Sequence, residues 1–374
     1  MKRIAVKTIG CKLNQYDSQS IAEPFLENGF VWVDFDESAD VYIINTCTVT
    51  GRADYSSRQA VSRALKSCIS GKSTVVVTGC YAEVNRTVFE NFDGVDIVVG
   101  NDQKSNLYDI VSHYINSGLL DNNPEEMSDS QRHWGRAITT MRGYSRAFIK
   151  IQDGCNANCT YCIVPKARGN EISRAPEEIA AEIERLTQAG YNEVVLTGVH
   201  IGRYNYRGMK FHQLLSELFS KDGPRIRFSS IEPIEVTGEL IDVIADNNMF
   251  CRHMHIPVQS GSDRILQQMK RNYKSDFIRE ICYKLKQSIP GITIGADFIA
   301  GYPGENDDDF DKSCRLASDC GFGYLHVFSY SDRPGTVASS MTDKISPVLI
   351  SKRSNELIGL SEKLISQNLT SNIN

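Results

Sequence analysis

Short apolar runs rich in β-branched residues recur along the first part of the chain, with amphipathic segments between them. The runs cover residues 4–9, 41–44, 75–77 and 95–99. The amphipathic segment over 17–28 stops just before Gly29, as helix C-termini commonly do. Strand-like runs that alternate with helix-like segments predict an open parallel sheet covered by helices.

A second series of apolar runs begins near residue 147. Its members cover residues 147–151, 193–196, 225–229, 253–258, 292–299 and 325–328. Between the first two runs, Ile179, Ile183 and Leu186 recur at helical spacing and share one face. Each βα unit takes on the order of 30 residues. Six such units predict a partial (β/α)6 barrel rather than a closed eight-stranded one, which usually needs about 250 residues.

The chain has 374 residues, enough for two domains with sizeable cores. Between the two series the sequence turns polar, with the stretch Asp-Asn-Asn-Pro-Glu-Glu starting at Asp121, which predicts a linker. The fold class is therefore α/β. We expect an N-terminal open parallel α/β domain over 1–115, a linker over 116–142, the partial barrel over 143–346, and a C-terminal helix and tail over 347–374.

Composition narrows the functional classes. The first residues contain no apolar run long enough for a signal peptide, and no window approaches 18 apolar residues, so we expect a cytoplasmic protein without a membrane partner. Eleven cysteines in a reducing compartment indicate metal binding or catalysis rather than disulfides. A net charge of −5 is not typical of a protein that binds nucleic acid through its overall field, so RNA binding would need a local basic patch.

The strongest chemical signal is the cluster Cys155, Cys159 and Cys162, which directly follows a predicted strand. Three thiolates this close together can bind one metal centre, and no histidine stands beside them. Three ligands suit a four-iron cluster with one iron left open for a substrate or cofactor. The alternative is a structural zinc site whose missing ligand comes from elsewhere in the chain.

A second set of cysteines occupies matching positions in the N-terminal series. Cys11, Cys47 and Cys80 each follow an apolar run. Because ligand sites of open α/β sheets gather where the strands end, we expect the three thiols to converge there. The alternative for any one of them is a small buried hydrophobic residue. Core packing is the expectation for four cysteines in helical segments, and Cys251 stays undecided; the four are Cys68, Cys282, Cys314 and Cys320.

These motifs together resemble the radical S-adenosylmethionine (SAM) methylthiotransferases, over nearly the whole chain. The matching motifs are Thr8-Ile-Gly-Cys11, Asn45-Thr-Cys47, Thr78-Gly-Cys80 and Cys155-x-x-x-Cys159-x-Tyr161-Cys162. The resemblance implies a radical-SAM barrel in which the last three cysteines hold the [4Fe-4S] cluster that binds and cleaves SAM. It also implies that the first three cysteines hold an auxiliary [4Fe-4S] cluster.

Segments 151–155, 163–169 and 229–233 resemble most the MtaB-like branch, which acts on N6-threonylcarbamoyladenosine beside the tRNA anticodon. The C2–H of adenine is neither acidic nor a leaving group, so acid–base or nucleophilic catalysis does not activate it. The resemblance implies that an adenosyl radical removes this hydrogen and that the auxiliary cluster presents a methylated sulfur. It also implies tRNA, a low-potential electron donor of the flavodoxin or ferredoxin type, and a sulfur source as partners.

Several residues that follow barrel strands are candidates for binding SAM, because functional groups of such barrels gather at the strand ends. Tyr161, beside the cysteines, is a candidate for packing on the adenine, with a core aromatic as its alternative. Turn chemistry is the alternative for the others. They are Thr197, Gly198, Ser230, Glu232, Gln259 and Ser260.

Arginines near aromatic residues or near the cysteine loop are candidates for RNA contact. They are Arg142, Arg146, Arg168 and Arg174, and a solvated linker is the alternative for Arg142 and Arg146. Family members usually continue into a small β-rich RNA-binding TRAM domain, but no strand pattern follows Pro347 in this sequence. Competing functions are the same chemistry on isopentenyladenosine in tRNA or on a ribosomal protein. A non-catalytic iron–sulfur or zinc-binding protein is the alternative from another class.

Overall fold

A computed structural model describes residues 1–68, 73–120, 134–220 and 222–373. The chain packs as two compact units. The first contains Met1–Asn156 and Ile163–Val199, and the second contains Ala157–Cys162 and His200–Asn374. Residues 121–133 of the expected linker lie outside the described part of the chain. The domain division expected from the sequence stays a prediction.

The first unit contains a five-stranded parallel sheet with strand order β2-β1-β3-β4-β5. Its strands are β1 (Arg3–Thr8), β2 (Val31–Val33), β3 (Val41–Thr46), β4 (Thr74–Gly79) and β5 (Ile97–Val98). Its helices are α1 (Lys12–Glu27), α2 (Gly51–Ser67), α3 (Cys80–Val84), α4 (Thr87–Glu90) and α5 (Leu107–Ser117). The predicted open parallel α/β sheet is confirmed. The short strand β2 was not predicted.

Burial explains why this sheet is parallel. Every residue of β3 and β4 is buried, so both faces of these central strands must be covered. Helices on both sides of a parallel sheet provide this cover. Successive residues of β3 contribute to two separate cores. Tyr42 and Ile44 belong to one core, and Val41 and Ile43 belong to the other.

The remainder of the first unit follows the polar stretch. Strands β6 (Ala147–Lys150) and β9 (Glu193–Thr197) pair in parallel, and the short strands β7 (Gln152–Asp153) and β8 (Ile172–Ser173) pair antiparallel. This part also contains the helices α6 (Val164–Arg168) and α7 (Pro176–Gln188).

The second unit continues the βα series. Its strands are β10 (Asn205–Tyr206), β11 (Met209–Lys210), β12 (Arg225–Phe228), β13 (His253–Gln259), β14 (Thr293–Ala300) and β15 (Tyr324–Ser329). Strands β13, β14 and β15 form a parallel sheet in that order. Its helices are α8 (Phe211–Phe219), α9 (Gly238–Ala245), α10 (Asp263–Gln268), α11 (Ser275–Ser288), α12 (Asp307–Asp319) and α13 (Pro347–Ile373). All six predicted barrel strands are present as β6, β9, β12, β13, β14 and β15.

Helix α13 is the longest of the described helices. Polar and charged residues interrupt its apolar positions throughout. Neither α13 nor any other helix in the described residues combines the length and the apolar character needed to span a bilayer.

Candidate metal centres and their surroundings

The structure brings Cys11, Cys47 and Cys80 together at one edge of the first sheet. They follow the adjacent strands β1, β3 and β4. Burial raises the pKa of the Cys47 thiol to about 12, and the nearby thiols of Cys80 and Cys11 act in the same direction. Cys47 and Cys80 are buried, whereas Cys11 is exposed. Three converging thiols with one exposed side form a donor set that fits a four-iron cluster with an external ligand.

Two glycines explain how the chain turns so sharply at these cysteines. Gly10 and Gly79 have positive φ angles of 107° and 97°. A Cβ added at Gly10 would lie 2.8 Å from Cys47 Sγ, and one added at Gly79 would lie 2.5 Å from the Thr46 carbonyl oxygen. The Gly-Cys pairs therefore let the backbone of one loop approach its neighbour closely.

Buried asparagine and threonine side chains tie the cysteine loops to one another. Asn14 Nδ2 donates to the carbonyls of Ile9 at 2.7 Å and Thr46 at 2.9 Å. Asn45 Nδ2 donates to the Asn14 carbonyl at 2.9 Å. The Thr46 hydroxyl donates to the Thr78 carbonyl at 2.6 Å. Asn14 carries no signal in the sequence, and Asn45 appears there only as part of the Asn45-Thr-Cys47 motif, without its hydrogen bond to Asn14.

A buried arginine lies beside this thiol set. The Arg168 side chain is only 3% exposed, and its guanidinium pairs with Asp17 at 3.1 Å and Asp153 at 2.9 Å. Its Nη2 also donates to Asn14 Oδ1 at 2.6 Å. Desolvation works against the charge of Arg168, but Asp153, Cys80, Asp17 and Cys11 outweigh it and raise the pKa of the guanidinium. The three thiols therefore lie in the field of a permanent positive charge.

Asp17 is the anionic centre of this network. Besides Arg168 it pairs with Lys104 at 3.0 Å and with Lys150 at 2.9 Å. Burial alone would raise the pKa of Asp17, but the three cations outweigh burial and hold the pKa well below its ordinary value. A cavity of about 470 Å³ borders the network and includes Asn101, whose Nδ2 lies 3.9 Å from Cys80 Sγ.

Cys155 belongs to the first unit, in the loop after β7. Its N–H donates to the Gly169 carbonyl at 3.0 Å, and the Gln152 side-chain amide donates to the Gly154 carbonyl at 2.8 Å. Gly154 has a φ of 70°, and a Cβ there would lie 1.9 Å from the Asn170 carbonyl oxygen. Only glycine allows this approach, so the start of the cysteine loop is held against residues 169–170.

Cys159 and Cys162 belong to the second unit. The Cys162 N–H donates to the Cys159 carbonyl at 3.1 Å, which closes a tight turn. Thr160 between them anchors the turn, because its N–H donates to the Met269 carbonyl at 3.2 Å and its hydroxyl lies 2.8 Å from the Tyr302 hydroxyl. Both cysteines are half-buried, so the turn stays partly accessible.

The charged side chain of Arg271 contacts this turn. Its Nη1 donates to Cys159 Sγ at 3.4 Å, and its Nη2 donates to the Pro257 carbonyl at 3.0 Å. The guanidinium also pairs with Glu232 and stacks on the Tyr273 ring at 5.1 Å. Arg271 thus joins Cys159, Glu232 and β13. This contact was not predicted, because nothing in the sequence spacing links position 271 to position 159.

The candidate SAM-binding residues occupy the strand ends as expected, and their roles stay predictions. Thr197 ends β9, and its carbonyl accepts from the Ile151 N–H at 2.9 Å; Gly198 follows it. In the second unit, Ser230 and Glu232 follow β12. Desolvation raises the pKa of the half-buried Tyr161 well above its usual range, so its hydroxyl stays protonated.

The two candidates at the end of β13 have unusual settings. Gln259 has a φ of 69°, a conformation that non-glycine residues rarely adopt and that often marks functional sites. Ser260 is buried, and its hydroxyl lies 3.3 Å from that of Ser313. Ser260 therefore has a partner within the protein already.

The four arginines proposed for RNA contact divide into two pairs. Arg142 and Arg146 are exposed, and each forms one surface ion pair, with Asp34 and Glu193 respectively. Arg168 is paired as described above, and Arg174 is buried against Glu182. Burial and ion pairing remove these last two guanidinium groups from the surface that a phosphate could reach. RNA contact is therefore not supported for Arg168 and Arg174, and the charge pattern alone could not reveal their burial.

Two family models match the chain. The radical SAM superfamily matches residues 149–317, and a family described as uncharacterized protein family UPF0004 matches residues 3–100. The two matched regions contain the two three-cysteine sets separately.

Curated relatives match over nearly the whole chain. Threonylcarbamoyladenosine tRNA methylthiotransferase MtaB of Bacillus subtilis is 39% identical over 97% of this chain and 81% of its own length. The protein of the same name from Aquifex aeolicus is 36% identical over 96% and 88%. A tRNA-2-methylthio-N(6)-dimethylallyladenosine synthase of Methylacidiphilum infernorum is 32% identical over 97% and 80%.

Solved structures with the same fold are radical SAM enzymes. The methyltransferase TsrM from Kitasatospora setae aligns with a TM-score of 0.64 at 15% identity, over 91% of this chain and 77% of its own. The cobalamin-dependent radical enzyme OxsB aligns with a TM-score of 0.60 at 11% identity, over 98% and 56%. At these identities the likeness concerns the fold alone, and it confirms the predicted fold class.

Proposed function

The chain belongs to the radical SAM methylthiotransferase family, and from this we propose that it converts N6-threonylcarbamoyladenosine in tRNA to the 2-methylthio derivative. As a radical SAM enzyme it uses SAM and a [4Fe-4S] cluster. The convergence of Cys11, Cys47 and Cys80 at one sheet edge carries the proposal, because radical generation alone needs only one cluster. The substrate follows from the relatives, since those named for threonylcarbamoyladenosine reach 39% identity and the dimethylallyladenosine synthase named above reaches 32%.

Each three-cysteine set suits one cluster. Cys155, Cys159 and Cys162 would hold the cluster of the radical SAM reaction, and the N-terminal set would hold an auxiliary [4Fe-4S] cluster. Three thiolates in each set would leave one iron of a bound four-iron cluster without a protein ligand. When bound, the first cluster would supply the electron that cleaves SAM, and the second would supply the sulfur that is transferred to adenine C2.

Two arginines prepare these sites electrostatically. Arg168 carries a permanent charge beside Cys11 and Cys80, and this charge partly opposes the burial that raises the pKa of the Cys47 thiol. In the other set, Arg271 donates directly to Cys159 Sγ. Glu232 keeps Arg271 in place through their ion pair. Each guanidinium thus places a fixed positive charge beside cysteines of one set, while burial still raises the pKa of the Cys47 thiol.

SAM binding is assigned to groups that follow the barrel strands. We infer that Glu232, Gln259 and Ser230 lie around the cofactor in the second unit, with Tyr161 against the adenine. Support comes from Arg271, which ties Glu232 and the end of β13 to Cys159. Thr197 and Gly198, at the end of β9, and Ser260 complete the proposed set.

tRNA contact is assigned to the exposed pair Arg142 and Arg146. Arg142 lies 5.2 Å above the Trp32 ring, which combines a cation with a flat apolar surface in the way that suits RNA. A flavodoxin- or ferredoxin-type electron donor and a sulfur source are the further partners that this chemistry requires. The tRNA substrate supports the cytoplasmic location predicted from the sequence.

The test is nucleoside analysis of tRNA by mass spectrometry, in a strain that lacks its own threonylcarbamoyladenosine methylthiotransferase. Expression of the chain should restore the 2-methylthio derivative. Cys47→Ala should abolish it and lower the iron content from about eight to about four per chain, if each set holds a four-iron cluster. Cys314→Ala, outside both sets, should change neither.

Three results would contradict parts of the proposal. Methylthiolated isopentenyladenosine in place of the expected nucleoside would show that the enzyme acts on the alternative substrate. Unchanged tRNA together with a methylthiolated ribosomal protein would remove tRNA as the substrate. About four irons per wild-type chain would remove the auxiliary cluster.

A further inference from the structure

The sheet formed by β13, β14 and β15 has two unlike faces. Successive side chains of a strand point to opposite sides. One face is apolar and buried, with Met254, Ile256, Ile294, Ala296 and Leu325. The other face carries polar, metal-binding types of side chain, namely His253, His255, Asp297, Tyr324 and His326. The proposed radical reaction uses none of these five residues.

Asp297 is the centre of this polar group. It lies directly opposite His326 in the register of β14 and β15. Its Oδ1 lies 2.6 Å from His255 Nε2 and 3.4 Å from His326 Nδ1. One ligand atom from each of the three residues falls within 4.8 Å of the other two. Two imidazole nitrogens and a carboxylate oxygen therefore converge on one point.

The second ring nitrogen of His255 also has a hydrogen-bond partner. Its Nδ1 lies 3.0 Å from the Tyr324 hydroxyl. Histidines that bind metals usually hold their second ring nitrogen in a hydrogen bond, which fixes the tautomer and the ring orientation. Tyr324 can reach this position because its neighbour in the register is Gly295, where a Cβ would lie 2.2 Å from the tyrosine ring.

We propose that His255, Asp297 and His326 bind a first-row divalent cation through Nε2, Oδ1 and Nδ1. Two imidazoles and one carboxylate suit Zn²⁺, Fe²⁺, Co²⁺ or Mn²⁺, and three protein ligands leave coordination positions open. The His326 side chain is 56% exposed, so the cation and a further oxygen ligand can reach the site from solvent.

This site is distinct from both cysteine sets, and it does not depend on the proposed function. Its donors are nitrogen and oxygen, whereas both cluster sites offer thiols. Its ligands come from three neighbouring strands, so a bound cation would link β13, β14 and β15. In the competing arrangement these three side chains bind no cation, and both imidazoles donate hydrogen bonds to Asp297.

Cobalt uptake by the full chain with its iron–sulfur clusters reconstituted decides between them. The protein is incubated anaerobically with Co²⁺ and freed of unbound metal by gel filtration, and its cobalt is then counted by mass spectrometry. The variants are Asp297→Asn and His326→Ala, and the control is His113→Ala, an exposed histidine of the first unit. Wild type and control should each retain about one Co²⁺ more per chain than the two variants.

Cobalt-edge X-ray absorption identifies the ligands independently of any variant. Nitrogen and oxygen ligands at about 2.0–2.2 Å are expected, with no sulfur ligand at about 2.3 Å. The proposal is overturned if wild type retains no more cobalt than Asp297→Asn. It is also overturned if the bound cobalt has sulfur ligands, because the metal is then at cysteines.

Discussion

Replacing Arg168 by glutamine removes the buried cation that joins the cysteine loops to the carboxylates of Asp17 and Asp153. Glutamine keeps much of the side-chain length but loses the charge. Removing one partner of a buried ion pair costs about 3–5 kcal/mol, because it leaves a buried charge uncompensated. Asp17 keeps Lys104 and Lys150 as partners, so we expect the lower end, about 3 kcal/mol.

Urea unfolding of the reconstituted protein, followed by circular dichroism, measures this loss. A loss of about 3 kcal/mol should lower the midpoint of the first unit by about 1 M or more. Arg168→Lys should fall between the variant and wild type, because lysine restores the charge without the paired geometry. The matched control is Arg63→Gln, whose ion pair with Asp36 is exposed and contributes at most about 1 kcal/mol. A midpoint for Arg168→Gln equal to that of the control would refute the structural role assigned to this network.

Three further predictions concern the two cysteine sets and the charge network. Gly79→Ala should destabilise the first unit by about 1–3 kcal/mol and lower its iron content, because Gly79 has a φ of 97° and no space for a Cβ. The control is Gly29→Ala, where no neighbouring atom crowds the added Cβ. Equal iron content in both variants would contradict the packing argument. Arg271→Gln should make the reduction potential of the radical SAM cluster more negative in an EPR redox titration, because a positive charge beside Cys159 is lost, and an unchanged potential would exclude electrostatic tuning. Folding lowers the pKa of Asp17, so its ionised carboxylate should add to the free energy of unfolding above about pH 4, and this contribution should disappear as the pH falls below that value. In Asp17→Asn, the free energy of unfolding should lack this part of its pH dependence.

The sequence was sufficient for those features that depend on local periodicity. The apolar runs located the long strands, and placing Cys11, Cys47 and Cys80 after three of them predicted their convergence. The three-residue strand β2 was missed because its run is too short to stand out. Asn14 also escaped prediction, because its role lies in hydrogen bonds to two loops that only the fold brings together.

Arginine roles were the least predictable, for a physical reason. A sequence shows that Arg168 and Arg174 are charged and close to the cysteine loop, but not whether their charges are buried. Their partners Asp17 and Glu182 belong to helices whose packing decides burial. The sequence also does not show which distant residues Arg271 contacts, because no motif connects position 271 with Cys159.

Both three-cysteine sets lie beside an arginine that carboxylates already hold. Arg168 is held by Asp17 and Asp153, and Arg271 is held by Glu232. A guanidinium cannot lose its proton in a protein, so burying one without an anion would be costly in the absence of a cluster. The carboxylates offset that cost before iron binds, while the charge remains available to the thiolates. We therefore expect the cluster-free protein to keep Arg168 and Arg271 paired in place, whereas the buried Cys47 thiol, whose pKa is raised, must still lose its proton when iron binds.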